Sequence, residues 1–200
     1  MVVRIVGILS MTFCAFGQEE EIYIQPNLLK GSATITPSDM LASDQSNYYI
    51  SGFLEYHLTK NLSVRGESYI HVDGKVGGVP SLENVPFIED GVRTFFGASY
   101  HLNKGNFDYN IGFQPGISVI RYSNMTPLNE THRAIVSPSL ALQTGVSFFV
   151  WKYFHFFANI TYVRSPVRGV NIYPSQAKLN NADELMFSAG LGFHIQTKKK

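Results

Sequence analysis

The chain has 200 residues, a length that suits one domain. Charged residues make up only 16% of it and hydrophobic residues 44%, whereas a typical soluble domain carries about 25% charged residues. Lys and Arg number 16 against 15 for Asp and Glu, so the chain lacks the basic excess of a nucleic-acid-binding protein, and no nucleic-acid partner is expected. This low charge predicts either a large dry interior or a large surface that faces something other than water.

The first segment is typical of a secretory signal peptide. One positive charge, Arg4, precedes the apolar run Ile5–Ala15, and Ala15-Phe16-Gly17 has the small-x-small pattern of a cleavage site. The run is too short to cross a bilayer as a helix, which needs about 20 residues. We therefore predict a signal peptide over residues 1–17 and a mature domain over 18–200, with a retained anchor as the alternative.

The only cysteine, Cys14, lies inside this predicted signal. The mature chain would then contain no disulfide and no cysteine metal site. A lipoprotein acylated at Cys14 is an alternative, but the bulky Phe13 stands where lipoprotein signals carry a small residue.

Alternation of apolar and polar residues with a period of two runs through the rest of the chain and predicts β-strands. In the clearest case, Glu184–Gln196, Phe187 and Leu191 fall on one face and His194 falls on the other. About eight segments follow this pattern, each long enough for the roughly 9–11 residues that a membrane-crossing strand needs. The predicted strands are Asn27–Thr36, the weakest, and Tyr48–Leu58, Leu62–Asp73, Val92–Asn103, Phe107–Tyr122, Ala134–Val150, Phe154–Arg164 and Glu184–Gln196.

The connections between these strands alternate in length. Short turns are predicted at Thr59-Lys60-Asn61, Lys104-Gly105 and Trp151-Lys152-Tyr153. Long polar connections are predicted at Pro37–Ser46, Gly74–Asp90, Ser123–Arg133 and Pro166–Asp183. Short turns at one rim and long loops at the other are typical of an outer-membrane barrel.

Turn lengths also predict strand register. Around Lys60, Leu58 should oppose Leu62, which places Glu55 opposite Arg65 on the polar face.

Around Lys104-Gly105, Asn103 should oppose Asn106, which places His101 opposite Asp108 on the polar face. Pro115 and Pro138 fall inside predicted strands and cannot donate a ladder hydrogen bond, so each predicts a bulge or a shorter strand.

The two faces differ in a way that favours an inverted barrel. The polar face combines Gly and Ser with charged residues, whereas the apolar face is nearly free of charge, unlike a soluble exterior. Aromatic residues also cluster near the short-turn rim, as in the aromatic girdle of a membrane barrel. They are Tyr56, Tyr100, Phe107, Tyr109, Trp151, Tyr153, Phe154 and Phe193.

Closure requires the first and last strands to pair, because lipid offers no partner to a free strand edge. The last strand contains Ser188–Ile195, which resembles the C-terminal assembly signal of outer-membrane barrels, although Gln196–Lys200 follow it. Across nearly the whole mature chain, the arrangement of strands and loops resembles the small eight-stranded outer-membrane barrels of the OmpA/OmpX type. The resemblance implies an all-β, closed, antiparallel up-and-down transmembrane barrel. It also implies membrane lipid and the barrel-assembly machinery as partners, and we expect a monomer.

Charged and titratable residues on the polar face are the candidate site. They are Glu55, His57, Arg65, Glu67, His71, Arg93, His101 and Asp108. An ion path or a catalytic cluster is one interpretation. A paired network that fills the lumen is the favoured one, because eight strands leave an interior just wide enough for side chains. No cofactor motif and no metal-ligand spacing are present, because the six histidines are scattered along the sequence.

Enzymatic activity is not expected. Ser123, Glu130 and His132 share one predicted loop, but no strand or helix holds them together as catalysis requires.

We therefore predict a non-enzymatic outer-membrane barrel that is structural or that binds a partner through its long loops. Val85, Phe87 and Ile88 belong to the only apolar cluster on those loops and are candidate contacts. One alternative is a narrow pore or a conduit for small or hydrophobic solutes. Another is a soluble, secreted, lipocalin-like barrel with an apolar pocket.

Overall fold

A computed structural model describes residues 25–41, 45–76, 87–123, 133–166 and 181–197. Eight antiparallel strands follow one another around a closed barrel, which confirms the predicted fold class. They are β1 Leu28–Met40, β2 Gln45–His57, β3 Leu62–Val76, β4 Phe87–Lys104, β5 Phe107–Ser123, β6 Arg133–Trp151, β7 Phe154–Arg164 and β8 Glu184–Gln196. None of the residues within these ranges forms a helix that could cross a membrane.

The short turns lie at one end of the barrel, which we call the short-turn end. Asn27 and Thr197, near the two ends of the described chain, also lie there, because Thr197 N donates to Asn27 O at 3.0 Å. The opposite end, which we call the long-loop end, carries the connections after β1, β3, β5 and β7.

Several strands extend further toward the long-loop end than predicted. β1 continues to Met40 and β2 begins at Gln45, so the predicted connection Pro37–Ser46 shrinks to four residues. β3 and β4 likewise take residues from both ends of the predicted loop Gly74–Asp90. These strand ends are polar and contain Gly and Pro, and their residues do not alternate as those in the strand centres do. The alternation pattern therefore did not predict them as strand.

One of the two predicted hairpin registers is confirmed and the other is wrong. Glu55 lies opposite Arg65 in the β2–β3 pair, as predicted. In the β4–β5 pair, Lys104 lies opposite Phe107, so His101 faces Asn110 and not Asp108.

The turn between β4 and β5 explains this second register. It consists of Gly105 and Asn106, not of Lys104 and Gly105. Gly105 has a φ of 58°, the left-handed backbone that two-residue hairpin turns demand and that glycine adopts without a steric penalty.

The two strand prolines cause no bulge in the β5–β6 pair, where Pro115 opposes Leu140 and Pro138 opposes Ile117 without a shift. The predicted bulges are therefore wrong there. Pro115 instead coincides with a break in the β4–β5 ladder, which has pairs at Phe95 and Ala98 but none between them. Pro138 lies beyond the β6–β7 ladder, which begins at Leu140, so its missing N–H costs no hydrogen bond on that side.

The seam between β1 and β8 closes the barrel but is interrupted in its middle. Its ladder covers Leu28–Gly31 and Ser38–Met40 of β1, with no pair to β8 for the residues between. Two hydroxyls bridge this interval: Ser32 Oγ donates to Leu191 O at 3.0 Å, and Thr34 Oγ1 donates to Ala189 O at 2.9 Å. Side chains thus replace backbone donors at the seam.

The surface of the barrel is inverted relative to a soluble protein. Phe187, Ile160 and Leu191 point outward and are 39%, 45% and 48% exposed, whereas Arg65 and Glu67 point inward and are 2% and 4% exposed. This is the arrangement that a membrane barrel requires and the reverse of a lipocalin-like barrel, so the soluble alternative is wrong. Most of the predicted aromatic girdle, including Tyr100 and Trp151, is likewise exposed near the short-turn end.

Candidate functional site

Of the eight charged and titratable residues predicted on the polar face, seven are buried inside the barrel and His71 is partly buried. Alternation within each strand places Glu55 of β2, Arg65 and Glu67 of β3, and Asp108 of β5 on the inward face, where they are buried. Arg93 and His101 of β4 are also buried. The structure does not join them into one network, however, because Arg93 lies eight residues from His101 along β4 and contacts other partners.

The first group, which we call the lower cluster, comprises Lys30, Glu55, Arg65, Glu67, His101 and Asp108 toward the short-turn end. Lys30 is its centre: Lys30 Nζ lies 3.0 Å from Glu55 Oε2 and 2.8 Å from Asp108 Oδ2. His101 bridges the same two carboxylates, with Nε2 2.8 Å from Glu55 Oε1 and Nδ1 2.8 Å from Asp108 Oδ1. Asp108 and His101 therefore do meet, diagonally across the β4–β5 pair.

Arg65 connects this cluster to the middle of the barrel. Its guanidinium lies 3.2 Å from Glu67 and 3.8 Å from Glu55, and it stacks over the ring of Phe53 at 3.8 Å. A guanidinium so placed is held by two carboxylates and a cation–π contact at once.

The second group, which we call the upper cluster, surrounds Glu184 toward the long-loop end. Arg93 forms an ion pair with Glu184, and Ser38, Asn47 and Tyr49 donate hydrogen bonds of 2.7–3.1 Å to the same carboxylate. Arg93 also donates to Ser165 Oγ at 2.9 Å. Glu184 is thus a buried charge with a charged partner and several neutral donors, as buried carboxylates need.

A layer of apolar side chains separates the two clusters along the barrel. It consists of Tyr49, Tyr69, Phe95, Ala141, Val163 and Met186, all nearly or fully buried. Along β4, for example, Phe95 lies between Arg93 and His101. Along the described strands, these apolar side chains therefore lie between the two ion-paired clusters.

The sequence interpretation missed two members of these clusters, Lys30 and Glu184. Lys30 belongs to the weakest predicted strand, whose alternation was too poor to assign an inward face. Glu184 begins both the predicted strand and β8, and alternation places it on the inward face with Ser188, but a single acid at a strand end does not by itself indicate which residues it contacts. The need to balance the predicted acids with a cation was the one available signal for Lys30.

The histidines are scattered along the sequence, but four of them form two close pairs in the fold. The rings of His57 and His101 lie 4.4 Å apart, and those of His155 and His194 lie 5.7 Å apart, inside the short-turn end. Within the described part of the chain, neither ring nitrogen of His57 or of His155 has a hydrogen-bond partner. These side chains come from different hairpins, so sequence spacing could not reveal their proximity.

The candidate loop contacts are placed differently from the prediction. Val85 lies outside the described residues, and Phe87 begins β4. Ile88 is not a loop residue: its side chain is buried against Met40 and Ile120 inside the long-loop end. It cannot contact a partner there. Glu130 and His132 of the predicted loop triplet also lie outside the described residues.

The outer surface carries a groove of about 640 Å³ beside the interrupted seam. Small side chains such as Ala158 and Ala189 and larger ones such as Ile35, Ile160 and Phe187 line it. The groove is therefore apolar and lies on the membrane-facing side.

Comparisons with known proteins agree with this architecture. No protein-family model and no curated protein matches the chain in sequence. Among solved structures, the outer membrane protein OprG of Pseudomonas aeruginosa is 13% identical with a TM-score of 0.58, over 86% of this chain and 98% of that chain. The attachment invasion locus protein Ail of Yersinia pestis is 14% identical with a TM-score of 0.56, over 86% and 100%.

The N-terminal β-barrel domain of Pseudomonas aeruginosa OprF is also 14% identical, with a TM-score of 0.54 over 85% of this chain and 98% of that domain. At these identities the similarity shows the fold, and it confirms the predicted resemblance to eight-stranded outer-membrane barrels at that level.

Proposed function

We propose that this chain is an integral outer-membrane barrel of a Gram-negative bacterium that neither catalyses a reaction nor conducts ions. In this proposal the barrel is a rigid scaffold, and the connections at the long-loop end carry the biological contact. The lumen stabilises the scaffold and does not serve as a passage.

The observation that carries this proposal is the combination of an apolar exterior with a filled interior. An exterior of exposed Leu, Ile and Phe is stable only in lipid, where every backbone group of a closed barrel is bonded to a neighbouring strand. Inside, the apolar layer around Tyr69, Phe95 and Met186 lies between two ion-paired clusters, which supports a lumen that does not conduct ions. A scaffold of this kind presents loops rigidly, which favours binding at the long-loop end.

Orientation follows from the topology. With eight strands, both chain ends lie at the short-turn end, which faces the periplasm in outer-membrane barrels. Residues 1–17 would direct export, and the assembly machinery would recognise Ser188–Ile195 of β8. Mass determination of the protein purified from membranes tests the first point, with a mature chain starting at Gln18 as the expected result.

Two measurements test the scaffold proposal. The protein should fractionate with detergent-extracted outer membranes, and the purified barrel should give no steady current in a planar bilayer. A reproducible single-channel conductance would contradict the filled lumen. Recovery in the soluble periplasm would contradict the membrane location.

A second candidate function is lateral passage of a hydrophobic solute, and the interrupted β1–β8 seam favours it. Six consecutive residues of β1, from Ser32 to Pro37, lack a ladder pair on β8, and the two hydroxyl contacts there are weaker constraints than a continuous ladder. The apolar groove beside the seam would receive a solute that leaves the barrel wall into lipid.

A disulfide across the seam tests this second candidate. Continuing the register of the flanking pairs places Ala33 opposite Leu191, so the double variant A33C/L191C would lock the interval. The pair Ala158 and Ala189, directly opposed in the intact β7–β8 ladder, supplies the matched control A158C/A189C. If the seam passes solutes, only the first disulfide slows entry of the hydrophobic dye N-phenyl-1-naphthylamine into cells, and reduction restores it. Equal rates in both variants would remove this candidate.

A further inference from the structure

Three potential metal ligands converge at the short-turn end of the lumen. One nitrogen of His57, one nitrogen of His101 and one carboxylate oxygen of Glu55 lie within 4.8 Å of one another, and all three side chains are buried. They come from β2 and β4, so the rigid barrel wall fixes their relative positions.

His57 is the observation that points to a ligand. Its ring is fully buried, yet among the residues that the structure describes neither Nδ1 nor Nε2 has a hydrogen-bond partner. A buried polar group without a partner costs on the order of 1–3 kcal/mol, so its presence requires an explanation. The imidazole lies 4.4 Å from the ring of His101, and a lone pair on either nitrogen is free to bind a cation.

The residues around these three ligands orient them as a metal site requires. His101 Nδ1 lies 2.8 Å from Asp108 Oδ1, and its Nε2 lies 2.8 Å from both Glu55 Oε1 and Ser63 Oγ, so a bound metal would replace these two contacts of Nε2. Metal-binding histidines commonly donate their second ring nitrogen to a carboxylate in this way. Ser63 Oγ donates to Glu55 Oε1 at 2.6 Å and orients that carboxylate as well.

Lys30, the nearest cation, binds the opposite side of both acids. Its Nζ contacts Glu55 Oε2 and Asp108 Oδ2, whereas His101 contacts Oε1 and Oδ1 of the same residues. The Glu55 oxygen that faces the histidines is therefore not the one that Lys30 neutralises.

The charge of the lower cluster also leaves room for a cation. Lys30 and Arg65 carry two positive charges, and Glu55, Glu67 and Asp108 carry three negative ones, so one negative charge is unbalanced when His101 is neutral. An unbalanced charge inside a barrel is costly. A bound cation, or a proton on His101, would offset it.

We propose that Glu55, His57 and His101 bind a single divalent transition-metal ion inside the periplasmic half of the barrel. Two imidazoles and one carboxylate suit Zn²⁺ and its neighbours better than Ca²⁺ or Mg²⁺, which take oxygen ligands. Tetrahedral ligands about 2.1 Å from Zn²⁺ stand about 3.4 Å apart, so small side-chain rotations complete the site, and water takes the fourth position.

Metal content after refolding tests the proposal directly. The untagged chain 18–200 is refolded into detergent with or without Zn²⁺, freed of excess ion by gel filtration and analysed for zinc. Because the site is buried, the ion is supplied during refolding. One zinc per barrel is expected. Refolding with Co²⁺ should give the intense visible absorption of a tetrahedral site.

Variants locate the bound ion. H57L removes a ligand and no hydrogen bond, and it should abolish stoichiometric zinc. D108N keeps all three ligands but changes the partner of His101, and it should weaken zinc binding by about 10–100-fold. The control H71A removes a histidine that contacts Asn47 Oδ1 near the long-loop end, outside the proposed site, and should retain one zinc. H57Q serves the same purpose as H57L if the leucine variant does not refold.

Three results would overturn the proposal. The first is the absence of stoichiometric zinc in the parent protein. The second is zinc that survives both H57L and H57Q. The third is zinc that the H71A control loses, which would place the ion away from Glu55, His57 and His101.

Discussion

The upper and lower clusters fill the same lumen with the same kinds of residue, but they balance charge differently. In the upper cluster one acid, Glu184, faces one base, Arg93, and neutral donors complete its shell. In the lower cluster two bases face three acids. Within the described residues, neither ring nitrogen of the neighbouring His57 has a hydrogen-bond partner.

This difference in charge balance distinguishes a cluster that only stabilises the barrel from one that can also bind a cation. In the upper cluster Arg93 and neutral donors occupy the Glu184 carboxylate, so that pair contributes to the integrity of the barrel and offers no acceptor to another cation, although Arg93 Nε has no hydrogen-bond partner among the described residues. The lower cluster has a surplus negative charge when His101 is neutral, and with His57 beside it this cluster keeps the means to bind a cation. The substitutions below should therefore affect the two ends of the lumen unequally.

Removal of Glu184 should have the largest effect. E184L leaves Arg93 buried without a counter-charge, and breaking a buried pair in this way costs about 4 kcal/mol. Urea unfolding from lipid vesicles, followed through the fluorescence of the only tryptophan, Trp151, measures the loss.

The double variant R93L/E184L is the control for this effect. Replacing both partners by apolar residues removes the stranded charge, so most of the lost stability should return. If the double variant is no more stable than E184L, the loss comes from packing and not from the uncompensated charge.

The lower cluster should respond according to its charge count. K30M leaves one base against three acids and should cost about 3 kcal/mol. D108N leaves two bases against two acids, so it should cost only the hydrogen bonds it changes, about 1 kcal/mol. The same unfolding assay compares them, and equal losses would show that charge balance does not govern this end.

H57L should leave the metal-free barrel equally stable or raise its free energy of unfolding by about 1 kcal/mol, because it replaces an unsatisfied buried imidazole by an apolar side chain. No substitution in the upper cluster should behave in this way. A loss above about 1.5 kcal/mol in metal-free buffer would mean that His57 has a bonded partner that supports the fold.

Much of the fold could be predicted because it follows from local alternation. The bounds of β7 and β8 follow from the strict apolar and polar sequence of Phe154–Arg164 and Glu184–Gln196. The register of β4 and β5 could not be fixed in the same way. The predicted and observed registers differ by two residues along β5. A shift of two residues leaves every side chain on its own face, so only the backbone at Gly105 distinguishes the two registers.

The candidate site was predictable as a set of residues but not as an arrangement. Alternation assigns Glu55, Arg65 and Arg93 to the lumen, yet it gives no height along the barrel axis. That height depends on the shear of all eight strands together. For the same reason the contact of Lys30 with Asp108, residues far apart in sequence, has no local signature.

The smallest effect on the free energy of unfolding is expected outside the lumen, at an arginine–carboxylate pair that is exposed to solvent. Arg121 lies 3.1 Å from Asp90 near the long-loop end, and both side chains are about half exposed. Exposed pairs are screened and seldom contribute measurably, so R121Q should change the free energy of unfolding by less than about 0.5 kcal/mol. It is an arginine–carboxylate pair like Arg93–Glu184, so the contrast isolates burial as the cause. A loss in R121Q that approached that of E184L would place this pair in the bilayer, and the apolar belt would then reach beyond β4 Asp90.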